Sequence, residues 1–247
     1  MLARMIRRLV LAYVLCVAVS LGTAAAQSAP ATPAKPLFYY AGQAGRLTED
    51  RDHLGGNPFA SALIEVLKAP KLSLQEFGER LAFENQKRSG GWHLAQLPKT
   101  RELPAWKVTP SAGEKRIALV LINANYANKD VPSLPGARFD ARRVPAALQA
   151  AGFETQLVFN AEGDAIRQAL ADFSARSAGA DAALVYFGGH GLQHGRTVWW
   201  MFSDYPERDA QWLPTHALSV SEVGAGLRAR AANLVLYASC RDDPFGY

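Results

Sequence analysis

Leu184-Val185-Tyr186-Phe187-Gly188-Gly189-His190-Gly191 is a continuous apolar, β-prone run that stops at a histidine set between glycines. The same design recurs in Leu234-Val235-Leu236-Tyr237-Ala238-Ser239-Cys240-Arg241, where Cys240 follows His190 by 50 residues. Short apolar runs without alternation fit strands buried on both faces, as in parallel sheets. Two such strands running the same way carry His190 and Cys240 to the same edge of one sheet. A thiol and an imidazole presented there are the minimum equipment for nucleophilic attack on a carbonyl.

The residues around these two runs alternate strand and helix patterns. Residues 116–122 are another apolar run, 136–151 read as a helix closed by Gly152, and 154–159 alternate as a strand. An amphipathic helix follows over 161–177, then a buried strand over 182–187, a helix over 219–230 and a strand over 233–238. Parallel strands covered by helices on both faces give an α/β fold with a mostly parallel sheet. Pro145 lacks an amide hydrogen and predicts a kink or a shifted start in the first of these helices. Residues 197–202 suit one arm of a hairpin and 205–214 read as a loop. Trp199, Trp200 and Trp212 fall here, either packed under that loop or forming a wall for substrate.

The front of the chain has its own order. Residues 37–41 form a short aromatic strand, and Asn57-Pro58 is a cap and first-turn pair for a helix reaching 68. Ser73-Leu74-Gln75-Glu76 is a capping box for a helix to about 87. Gly90-Gly91 ends it, and 92–97 suggest one more strand.

At the N-terminus Arg4, Arg7 and Arg8 precede the apolar stretch 9–21 and then Ala24-Ala25-Ala26. Residues 1–26 therefore read as a signal peptide cleaved near Ala26, with an uncleaved anchor as the alternative. Residues 27–36 are an Ala/Pro-rich tether. Without the three arginines the formal net charge falls from +5 to +2, so the basic balance is partly a targeting feature. No block of lysine and arginine with interleaved aromatics remains, which argues against a nucleic-acid partner. Cleavage would also remove Cys16 and leave Cys240 alone in an exported, periplasmic or secreted protein. An internal disulfide is then impossible, and the thiol is kept either for reactivity or as a small buried side chain.

Five blocks in order now carry a resemblance. They are Ile117-Ala118-Leu119-Val120-Leu121-Ile122-Asn123-Ala124-Asn125-Tyr126, Leu134-Pro135-Gly136-Ala137-Arg138-Phe139-Asp140-Ala141, Ala151-Gly152-Phe153, Tyr186-Phe187-Gly188-Gly189-His190-Gly191, and Ser239-Cys240-Arg241-Asp242-Asp243-Pro244-Phe245. Together they resemble the bacterial caspase-like cysteine peptidases, relatives of caspases and metacaspases, over residues 115–247. The His-to-Cys spacing is also of the caspase type. The resemblance implies a caspase-like three-layer α/β sandwich, with Cys240 as nucleophile and His190 as general base and acid. The Gly191 and Cys240 amides are the implied donors to the oxyanion. Peptide or protein is the implied substrate; neither a cofactor nor a metal is called for, since His53, His93, His194 and His216 lack partners at ligand spacing.

In that family a small-subunit half follows the cysteine. Here residues 37–110, with Phe38-Tyr39-Tyr40-Ala41-Gly42-Gln43-Ala44-Gly45 and Gly56-Asn57-Pro58-Phe59-Ala60-Ser61-Ala62-Leu63, resemble that half and precede the large-subunit-like half. A circular permutation is one explanation, a remnant of two tandem domains the other. Two departures bear on specificity. Ala238 stands where many relatives carry an aspartate that favours cleavage after a basic residue, leaving Asp130 or Asp204 as replacements. Asn123-Ala124-Asn125-Tyr126 replaces a glycine-bearing loop. Three functions follow: an exported cysteine endopeptidase, a pseudoenzyme serving as a peptide-binding module, or a stranded fragment without a stable fold.

Overall fold

The computed structural model describes residues 32–69, 71–100, 102–207 and 209–245. The signal-peptide reading and Cys16 lie outside them. In chain order the elements are β1 (Pro36–Tyr40), α1 (Pro58–Leu67), α2 (Leu74–Arg88), β2 (Arg116–Ile122), α3 (Pro135–Ala150), β3 (Glu154–Phe159), α4 (Gly163–Ser177) and β4 (Ala182–Gly188). They continue with β5 (Gly191–His194), β6 (Thr197–Met201), α5 (Leu213–His216), β7 (Ala217–Ser219), α6 (Val220–Gly226) and β8 (Ala232–Tyr237). Five strands make one parallel sheet in the order β1-β8-β4-β2-β3. The short strands β5, β6 and β7 form a separate antiparallel sheet beyond His190.

The unbroken apolar runs are explained by cover on both faces. Every residue of β2, β4 and β8 is buried. On one face Val120, Ile122, Leu184, Tyr186, Leu234 and Leu236 pack with Phe59 and Leu63 of α1, Phe77 and Leu81 of α2, and Val144 and Leu148 of α3. On the other, Leu119, Leu121, Val185, Phe187, Val235 and Tyr237 meet Ile166 and Phe173 of α4 and Val220 and Val223 of α6. Each such large side chain contributes about 1.5–3 kcal/mol on burial. The front strand belongs to this sheet: β1 runs parallel to β8, with Leu37 opposite Leu234 and Tyr40 opposite Tyr237. Among the described residues no helix is long and apolar enough to cross a membrane.

Helix starts follow the sequence signals. Asn57 caps α1, and Ser73 with Glu76 forms the complete capping box of α2. The structure departs from expectation in four places. The helix expected over 219–230 is only α6, because Gly224 and Gly226 are poor helix formers and the following backbone is captured by side chains. Asn233 accepts from the Ala229 amide and donates to the Ala229 carbonyl, while Ser177 Oγ accepts from the Arg228 amide. The strand expected over 92–97 is reduced to a single antiparallel bridge between Gln96 and Tyr40. The expected loop 205–214 contains a turn of 3-10 helix at Ala210–Trp212 and the start of α5. Finally, α3 runs through Pro145 without interruption. Trp200 is fully buried against Phe187 and donates to the Gly188 carbonyl, which settles it as packing.

Candidate active site

His190 and Cys240 lie just past the carboxyl ends of β4 and β8, two strands that pair directly with Phe187 opposite Tyr237. Both residues and Gly191 line one cavity of about 740 Å³. Open parallel sheets place ligands at this edge.

The backbone before His190 makes a sharp turn. Gly189 has φ +128°, and a Cβ there would stand 2.6 Å from the Asn123 carbonyl oxygen, so only glycine fits. The turn brings the His190 amide to donate to Tyr126 Oη at 2.7 Å, and that hydroxyl donates to the Asn123 carbonyl at 3.2 Å. His190 Nε2 lies 2.8 Å from the Pro132 carbonyl oxygen. A carbonyl only accepts, so Nε2 carries the proton and Nδ1 keeps its lone pair. Burial holds the imidazole below its ordinary pKa, against the opposing pull of the Pro132 carbonyl, Asp50 and Asp242. It is therefore a neutral base at neutral pH.

The thiol is held from the front of the chain. Thr48, in the loop after β1, donates its amide to Cys240 Sγ at 3.2 Å, and its Oγ1 lies 3.5 Å from the sulfur. The thiol in turn faces the Thr48 carbonyl at 3.6 Å. Burial pushes the thiol above its ordinary pKa, while the two Thr48 donors pull it down. Among the described residues no hydrogen bond joins the His190 and Cys240 side chains, so the resting pair is a neutral imidazole and a neutral thiol facing one cavity.

The Tyr237 hydroxyl meets the backbone at Cys240 and at Gly191, the neighbour of His190. It is 2.7 Å from the Trp199 carbonyl and 3.1 Å from that of Cys240. Gly191 crosses directly over it, and a Cβ there would sit 1.8 Å from Tyr237 Oη.

The loop that grips the thiol is itself anchored. The Asp50 carboxylate accepts from the Gly136 and Ala137 amides at 2.8 and 3.0 Å, capping α3, whose own Leu134 offers no side-chain cap. Asn57 caps α1 through Oδ1, and its Nδ2 donates to the carbonyls of Glu49 at 2.7 Å and Ala238 at 3.2 Å. Next to the nucleophile candidate, the Arg241 guanidinium lies over the Tyr40 ring and donates to Gln96 and Gln193.

Ala238 lines the cavity and offers it no charge, yet the cavity is acidic. Glu49, Asp50, Asp130, Asp140, Glu207 and Asp242 line it, with neither lysine nor arginine among its described lining residues. Asp140 is 2% exposed. Burial pushes its carboxyl up to about 7, against the Arg143 guanidinium at 2.7 Å and the Asn57 amide at 2.9 Å. Of the two acids suggested as replacements for the missing aspartate, Asp130 lines the cavity and Asp204 does not.

Thus all three residues expected in the site, His190, Gly191 and Cys240, share one cavity. Thr48, Asp50, Pro132 and Tyr237 escaped the sequence reading. Pro132 acts through its carbonyl, which every residue has, and Thr48 meets Cys240 across 192 residues of chain. Tyr126 and Tyr237 stand in the Asn123-Ala124-Asn125-Tyr126 block and in the run ending at Cys240, but as loop and strand residues without a role.

The profile of the peptidase C14 family, described as the caspase domain, matches residues 115–246, more than half of the chain. No curated protein matches the chain. Among solved structures, "structure of pro-sf-caspase-1" is similar at 14% identity over 56% of this chain and 55% of that one, with a TM-score of 0.41. The chain thus spans about half the length of that structure.

Proposed function

This chain belongs to the caspase-domain family, and we propose that it is a cysteine-type endopeptidase hydrolysing peptide bonds through Cys240 and His190. One observation carries the reading: a thiol and a neutral imidazole, its lone pair at Nδ1, face the same cavity from the ends of paired strands.

The chemistry follows from those positions. On substrate entry the thiol exchanges the Thr48 carbonyl for the imidazole, a tightening common on passing from apo to bound sites. Sγ attacks the scissile carbonyl as its proton passes to Nδ1. The oxyanion takes the Gly191 and Cys240 amides, each worth about 3 kcal/mol in comparable sites. The imidazolium, held by the Pro132 carbonyl, protonates the leaving amine as the C–N bond breaks, leaving an acyl thioester. Water then attacks that thioester, giving its proton to the imidazole. Collapse of the adduct releases the carboxylic acid and returns the proton to sulfur.

Apart from Asp140, which burial and Arg143 take up, the carboxylates of the lining favour a positively charged peptide despite Ala238, because a cleft lined by one sign of charge concentrates the opposite sign. We read residues 1–26 as an export signal, supported by Arg4, Arg7, Arg8 and the apolar stretch after them. We also read residues 37–110 as the small-subunit-like half moved ahead of the catalytic half; the parallel pairing of β1 with β8 supports this.

A binding-module reading is favoured by a different observation, the engagement of the sulfur by Thr48 in place of His190. The two separate on purified protein incubated with lysine- and arginine-containing peptides. Hydrolysis lost in Cys240→Ala supports the peptidase. Absence of hydrolysis, together with iodoacetamide labelling of Cys240 whose pH profile ignores His190→Ala, supports the binding module.

A further inference from the structure

His93 takes no part in the chemistry above, yet it is 1% exposed and fully hydrogen-bonded. Its protonation state can be deduced outward from the sheet. The Ala41 carbonyl, just past β1, accepts from Asn85 Nδ2 at 2.8 Å, which fixes the orientation of the Asn85 amide. Asn85 Oδ1 then faces His93 Nδ1 at 3.3 Å, so the imidazole proton sits on Nδ1. Nε2 is left as an acceptor, and it receives the Glu49 amide at 2.8 Å. Burial holds this imidazole at about 4, so the acceptor persists at neutral pH.

The accepted amide belongs to the residue after Thr48, whose own amide donates to Cys240 Sγ. The Glu49 carbonyl is held by Asn57. The Ala41 amide donates to the Tyr237 carbonyl, three residues before Cys240. The network therefore starts at the sheet end that carries the sulfur and closes on the backbone that grips it. We infer that His93 is a positioning residue that fixes the Thr48–Glu49 backbone against Cys240 and so sets the reactivity of the thiol. This rests on the reading of Cys240 as nucleophile. An N–H donor stabilises thiolate more than thiol, so loosening the Thr48 amide raises the pH at which the sulfur becomes reactive.

The test is the pH dependence of iodoacetamide alkylation of Cys240 in the full chain, for wild type, His93→Leu, His93→Gln and Asn85→Leu. Hydrogen bonds to charged groups have the strength to move a midpoint by about one pH unit. His93→Leu, without an acceptor, is expected to raise the midpoint by that order. His93→Gln, whose carbonyl oxygen can replace Nε2, is expected to restore it. A His93→Leu protein that melts cooperatively and titrates at the wild-type midpoint overturns the inference. So does a His93→Gln midpoint displaced as far as that of His93→Leu, because packing and not the acceptor would then carry the effect. If His93→Leu does not fold, Asn85→Leu decides by the same criterion, since it removes the group that orients the imidazole. Alkylation needs no turnover, so a chain that hydrolyses nothing still tests the inference. Failure of the peptidase reading shows separately, as absent hydrolysis and indifference to His190→Ala.

Discussion

The segment from β2 to Cys240 and the segment from β1 to His93 build the same cavity by different means. The first delivers reactive atoms: His190 and Cys240 ride on strands whose residues are buried along their whole length. The second delivers restraint: Thr48 on the sulfur, Asp50 on the start of α3, Asn57 on the Ala238 carbonyl, and His93 behind them. A sheet fixes where a side chain emerges, but loops reached through long-range contacts fix what that side chain touches. Removing the reactive groups should therefore cost chemistry at little cost in stability, whereas front-segment changes should trade the two together.

The largest effect is expected from Cys240→Ala. Peptide hydrolysis should fall to background, a loss of 10³-fold or more on the scale of disabled nucleophiles, while the melting temperature stays near wild type. His190→Ala should lower hydrolysis by roughly 10²–10⁴-fold, the range of a general acid–base group. It should also change the pH profile of Cys240 alkylation. Steady-state hydrolysis together with thermal melts checks both. A melting temperature that falls along with the rate in both variants would erase the contrast between the segments.

That contrast also explains what the sequence made legible. Strand and helix assignments rest on local periodicity, and β2, β3, β4, β8 and the caps at Asn57 and Ser73 were all readable from it. So was the shared edge for His190 and Cys240, because two unbroken apolar runs ending in reactive residues imply parallel neighbours. The Trp92-to-Leu97 region failed because a strand also needs a partner in register, and only Gln96 finds one. The helix before β8 stops short of its periodic pattern because Asn233 and Ser177 take up the backbone of what would be a further turn. His93 has no partner at ligand spacing in the sequence; its partners, Asn85 and Glu49, are brought to it by the fold. Departures from local pattern gather where remote groups satisfy the backbone.

A middle-sized effect sharpens the division between the segments. Asp50→Ala removes the carboxylate that satisfies two α3 amides. The expected cost is about 1 kcal/mol, read as a fall in melting temperature of roughly 2–4 °C for a chain of this size. Because Asp50 is two residues from Thr48, alkylation of Cys240 should change in the same variant. Asp50→Asn keeps one acceptor oxygen and should recover most of the stability. Loss of stability in Asp50→Ala with an unchanged alkylation rate would show that the cap and the grip on the sulfur are independent.

The smallest effect is a change in slope. His93 has a folded pKa depressed from 6.5 to about 4 by burial. As pH falls below 6.5 the unfolded chain binds a proton at this histidine and the folded chain does not. The stability contributed is thus complete above about 6.5, is lost progressively down to about 4, and levels off below, with at most one proton's worth of slope. Asp140, raised to about 7 by burial, acts with the opposite sign: its contribution is complete at low pH and is lost as pH rises through that value. Comparing wild type with His93→Gln cancels the Asp140 contribution, since both proteins retain it. Melting temperatures followed from pH 7 to 4 should therefore fall more steeply for wild type than for His93→Gln. Parallel curves would mean that His93 takes up its proton in the folded chain. Nε2 would then cease to accept from the Glu49 amide in acid, and its hold on the Thr48–Glu49 backbone would be confined to higher pH.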